Sequence, residues 1–108
     1  MANSFKNYFL KNATTTAANV YVAGTGVSAT IIGMSIGNTT SAPITANVTI
    51  VSAGTTYFML QGATIATGGA LVPIGGDQKL VLEAGDYMQV QTSATNSADV
   101  IVLVLEIT

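Results

Sequence analysis

The stretch DVIVLVLEIT, residues 99–108, decides how the rest of the chain is read. Side chains alternate along a strand, so Ile101, Leu103, Leu105 and Ile107 form one apolar row. Val100, Val102 and Val104 form the other, closed by Glu106. The apolar run from Val100 to Leu105 is far shorter than the roughly 20 residues a membrane helix needs. A strand apolar on both faces must be covered on both. One row belongs to a core. The valine row is read as the outward one, lying either under a loop or arm of the same chain or against another subunit. Val100, Val102 and Val104 are therefore candidate contact residues.

Period-two alternation recurs upstream. PITANVTIVS sets Ile44, Ala46, Val48 and Ile50 against Thr45, Asn47 and Thr49, and SATIIGMSIGN aligns Thr30, Ile32, Met34 and Ile36. GDYMQVQTS turns Met88 and Val90 inward and Tyr87, Gln89 and Gln91 outward. Turn chemistry punctuates these runs at AGTG (23–26), GNTTSAP (37–43), SAGT (52–55), TGG (67–69), GGDQ (75–78), EAGD (83–86) and SATNSA (93–98). The pattern predicts an all-β chain of about nine or ten short antiparallel strands in a two-sheet β-sandwich or jelly roll. Residues 1–17 read as an N-terminal arm or edge strand, with a short helix in SFKNYFLKN as the lesser alternative. Residues 18–108 read as the sandwich, its first core strand being NVYVA.

Composition narrows the function. The 108 residues are 49% hydrophobic and 7% charged, with net charge −2; an average domain carries about 25% charged residues. Three cations cannot neutralise a run of phosphates, so no nucleic-acid partner is expected. The apolar residues of the N-terminus are too few for a signal-peptide core, and it reads as mature sequence. The chain has no cysteine and no histidine. Disulfides, thiolate sites, the usual serine triad, cupin-type metal sites and most zinc chemistry are thereby excluded.

The densest ionisable stretch is VPIGGDQKLVLEAGDY, residues 72–87. Asp77, Glu83 and Asp86 could converge on Ca²⁺, which takes six to eight oxygen ligands, but the spacing matches no EF-hand loop. Two turns flanking the strand KLVLE explain it better: Leu80 and Leu82 point in, Val81 points out, and Gly85–Asp86 suit positive φ and Asx bonding. A glycosidase pair would need a sugar platform, and the chain has no tryptophan. The glycines of AGTGVS and IGGDQK match neither phosphate-loop pattern and read as hairpin glycines. NAT (12–14), NTT (38–40) and NVT (47–49) read as chance glycosylation triplets. No enzyme activity, cofactor, small-molecule substrate or membrane partner is expected.

Sparse surface charge favours assembly instead, because burying unpaired charge at an interface is costly and interface centres are depleted in Lys, Glu and Asp. The further contact candidates are Phe5, Tyr8 and Phe9 in the arm, and Tyr57 and Phe58 in TTYFMLQ, where bulky side chains emerge on both faces.

The segments MANSFKNY, TIIGMSIGNTTSAPITANVTI and GGALVPIGGDQKLVLEAGDYMQVQTSATNSADVIVLVLEI together resemble small virion structural proteins of tailed bacteriophages. That resemblance spans nearly the whole chain and implies a non-catalytic role in the particle. The expectation it supports is a capsid decoration (cement) protein on the virion head surface, forming a homo-oligomer, expected as a trimer, and bridging the major capsid protein. A neck, tail or fibre-base protein is the alternative, and a carbohydrate-binding β-sandwich module is the alternative of another class.

Overall fold

The structure, a computed structural model, describes residues 3–74 and 79–108. Among them are nine strands: β1 (Asn3–Ala13), β2 (Ala18–Val22), β3 (Ser28–Asn38), β4 (Ile44–Ser52), β5 (Thr55–Ile65), β6 (Ala70–Ile74), β7 (Leu80–Leu82), β8 (Tyr87–Thr92) and β9 (Ala98–Ile107). One sheet runs β1-β9-β3-β6, with β7 also on β3; the other runs β2-β8-β4-β5. β7 pairs with Ala29–Ile31 and β6 with Met34–Gly37, so the two act as one interrupted strand along β3. Counted that way, eight antiparallel strands form two four-stranded layers in the order of a jelly roll, the chain changing layer at every step except the β4–β5 hairpin. SFKNYFLKN is extended, within edge strand β1.

Local chemistry explains the corners. β4 and β5 are joined by Ala53 and Gly54, both at positive φ (51° and 80°), the two-residue turn whose twist suits a tight hairpin. Asn38 ends β3 inside the protein. Its amide donates to the carbonyls of Ala42, Ile65 and Ala66, while its oxygen accepts from Thr40 N and Oγ1.

The core lies between the layers. Ile31, Ile36, Ile74 and Leu82 from one sheet meet Val48, Met88 and Val90 from the other, all but closed to solvent. The inward assignments of Met88, Val90 and Leu82 hold, and so does the outward one of Val81.

Two orientations differ from the sequence reading. Val100, Val102 and Val104 are core residues, at most 1% exposed, whereas Ile101 and Leu103 face outward. The valine row is therefore buried within the fold and forms no outer contact surface. Glu106 misled the assignment because it too points inward, at 8% exposure, where hydroxyl donors neutralise the penalty that normally keeps a carboxylate outside. On β3, Met34 and Ile36 are buried as expected, but so are Ala29 and Ile31, in place of Thr30 and Ile32. The ladder to β9 steps from Ile31↔Val104 to Gly33↔Leu103. That bulge inserts Ile32 and reverses the alternation beyond it.

Candidate functional site

Outward side chains of the sheet containing β1 and β9 make an apolar surface. The register pairs Phe5 with Leu105, Asn7 with Leu103 and Phe9 with Ile101, and across β9 it sets Leu103 beside Gly33 and Leu105 beside Thr30. Phe5 is 76% and Phe9 66% exposed; Val72 on β6 and Val81 on β7 are similarly open. Gly33 leaves room that Leu103 fills: a Cβ there would sit 3.4 Å from the Leu103 side chain. An open cleft of about 260 Å³ runs along the β1–β9 seam, lined by Phe5, Lys6, Asn7, Ile32, Leu103 and Val104. Charge enters at one end, where Lys11 and Asp99 pair at 3.0 Å. Lys11 and the backbone N–H of Asn12, both donating to Asp99, hold its carboxyl below the usual range. A largely apolar surface that meets charge at Lys6 in the cleft and at the Lys11–Asp99 end has the composition of a protein contact surface.

The candidates separate on this map. Phe5 and Phe9 lie on the apolar surface. Tyr57 and Phe58 are exposed but belong to edge strand β5 of the other sheet, so they form a separate spot. Tyr8 alternates to the inner side, and with Tyr21, Lys6 and Glu106 it builds a cluster the sequence did not disclose.

In that cluster Tyr21 Oη donates to Glu106 Oε2 at 2.6 Å, Tyr8 Oη donates to the same oxygen at 3.1 Å, and Lys6 Nζ meets Oε1 at 3.0 Å. The two rings meet edge to face, 4.8 Å between centroids. The Tyr21 hydrogen bond, followed by that of Lys6, holds the Glu106 carboxyl below its ordinary value. Burial, reinforced by the bond to Glu106, pushes both phenols up. The cluster joins β1, β2 and β9 at one end of the sandwich. Tyr8 is a contact candidate by sequence and Tyr21 is not singled out; the sequence pairs neither with Glu106, which lies 98 and 85 residues away.

Of the two turns expected in the acid-rich stretch, GGDQ (75–78) lies outside the described residues and EAGD (83–86) is a turn. Asp86 Oδ2 accepts from Glu83 N at 3.0 Å, Oδ1 accepts from Ser52 Oγ at 2.7 Å, and Asp86 N donates to Glu83 O. Gly85 has φ +91°. Asp77 lies outside the described residues; among those described, no group of three acids is placed to hold a metal ion.

The fold defines the chain as a small all-β jelly roll. It is similar to a chain in the solved structure described as "Bacillus endospore appendages form a novel family of disulfide-linked pili", with a TM-score of 0.60 and 16% identity over 99% of this chain and 87% of that one. No family model and no curated protein matches it.

Proposed function

We propose that this protein is a non-catalytic structural subunit that assembles with copies of itself at the surface of a particle or appendage. The observation that carries the reading is the apolar outer face of the β1-β9-β3 sheet, where Phe5, Phe9, Ile101 and Leu103 stand exposed together. Large exposed apolar patches mark contact sites, and none of the residues at its centre is charged. The energy of such a contact comes from removing this surface from water, about 25 cal/mol per Å².

Two finer placements differ in their support. Sequence resemblance to tailed-phage structural proteins favours a capsid decoration protein on the virion head, bound to the major capsid protein. The likeness in fold to the endospore appendage chain favours a subunit of an extracellular filament. These 108 residues contain no cysteine, so copies would be held by non-covalent contacts in either setting. Light-scattering mass of the purified chain, followed by counting and locating its copies by labelled-antibody microscopy, tests the proposal. Discrete oligomers present in hundreds of copies over a head support decoration, and open filaments support an appendage. A monodisperse monomer at high concentration, absent from any particle, overturns both.

A further inference from the structure

The first strand, β1, is attached differently from the others. Apart from Tyr8, Leu10 and Ala13, its side chains contribute little to the core. Its hold comes from the ladder to β9 and from two ion pairs along that ladder, Lys6–Glu106 and Lys11–Asp99. Those four residues are half of the three cationic and five acidic side chains in the sequence.

A break separates this strand from the body. The β1–β9 register shifts between Leu10 and Ala13, and Asn12 sits at φ +57°, a conformation non-glycine residues seldom adopt. Ala13, immediately beyond, is anchored: its carbonyl accepts from Ser97 N at 2.8 Å, Thr92 Oγ1 at 3.2 Å and Ser97 Oγ at 3.4 Å. The hinge is therefore confined to Asn12, between the strand and the anchored Ala13, and short hinges under strain are the setting in which segments exchange between copies.

We infer that Asn3–Lys11 is an exchangeable strand, and that in the assembly it docks on β9 of a second copy. The inference rests on the self-assembly proposed above and names the contact that would carry it. The β9 edge left behind selects its occupant by charge and shape. It presents Glu106 and Asp99 at the spacing that Lys6 and Lys11 satisfy, with Tyr21 between the sheets to receive the Tyr8 ring. Within this chain, β1 alone carries lysines at that spacing with a tyrosine between them. Nine extended residues reach roughly 30 Å, against domain extents of 45 × 27 × 22 Å, so the freed strand spans the breadth of a neighbour.

The absence of cysteine makes the test clean. Leu10 and Val100 are register partners that both face the core, so they meet only through β1–β9 pairing and not by contact of outer faces. Chains carrying Leu10→Cys alone are mixed with chains carrying Val100→Cys alone, unfolded, refolded together, assembled and oxidised. Exchange gives a covalent heterodimer on a non-reducing gel, at least ten-fold stronger than from Leu10→Cys mixed with Val104→Cys, which is out of register. Assembled material with no heterodimer overturns the exchange while leaving self-assembly intact. The double variant Leu10→Cys/Val100→Cys checks folding: linkage within single chains in assembled material likewise overturns the inference. A chain that does not assemble overturns the reading on which the inference rests.

Discussion

On the outer face of β2-β8-β4-β5, polar side chains bond to one another: Gln89 Nε2 donates to Asn19 Oδ1 at 2.9 Å, Gln91 Nε2 to the Thr15 carbonyl at 2.6 Å, and Asn47 Nδ2 reaches Gln91 Oε1 at 3.5 Å. On the outer face of β1-β9-β3, the equivalent positions hold Phe5, Phe9, Ile101 and Leu103, exposed and unpaired. Both faces stand on the same pleated geometry and cover the same core. The amide face satisfies itself and loses little by staying wet. The apolar face gains only when water leaves it. One sandwich thus has a side suited to solvent and a side suited to a partner.

The sharpest way to break this comparison uses neighbouring residues of β9. Val102→Asp places an unpaired carboxylate in the core, a cost of several kcal/mol set against a total stability of about 5–15 kcal/mol; loss of the cooperative urea transition is expected. Leu103→Asp, one residue on, should fold, with its urea midpoint little changed. It should weaken self-association at least 100-fold by light scattering, about 2.8 kcal/mol at 1.4 kcal/mol per decade. Unfolding of both variants would place Leu103 in the core after all. Unchanged association of Leu103→Asp would remove the apolar face from the interface.

A smaller effect tests the cluster that joins the two sheets. Glu106→Gln loses the charge that three donors face, and about 1–3 kcal/mol of stability is expected to go with it. Because the folded carboxyl lies below the ordinary 4.5, the ionised state contributes stability that is complete above that value and lost as pH falls through the lowered one. Thermal midpoints of the native chain should therefore drop in acid, whereas those of Glu106→Gln should change less. At the alkaline end Tyr21 is raised above 10.0, so its contribution is complete below 10 and lost as pH rises through the folded value. Tyr21→Phe should flatten that limb. Equal acid slopes for Glu106→Gln and the native chain would detach the cluster from stability.

The smallest effect belongs to the amide face. Gln89→Ala removes an exposed hydrogen bond to Asn19 and should cost no more than about 0.5 kcal/mol, with association unchanged. A loss of association comparable to that of Leu103→Asp would reverse the assignment of the two faces.

Much of the fold was legible because alternation has a covalent cause. Successive side chains of an extended backbone point opposite ways, so ITANVTIVS and YMQVQT announce strands whatever surrounds them. Gly85 and Asp86 were legible as a turn for the same local reason, positive φ and a short side chain that bonds its own backbone. The apolar surface was half legible: Phe5 and Phe9 were singled out, while Ile101 and Leu103 were assigned to the core. The Glu106 cluster was not legible at all, since nothing near residue 106 mentions Tyr8 or Tyr21.

The chain's own order thus determined that it is built of strands, where most of them turn, and that it has neither cysteine nor histidine. Which row of a doubly apolar strand faces inward was decided only by tertiary structure. A carboxylate can point into a protein when distant hydroxyls and an ammonium meet it there, and one inserted residue such as Ile32 inverts every side chain beyond it. Both depend on partners that become neighbours only after the sheets have formed.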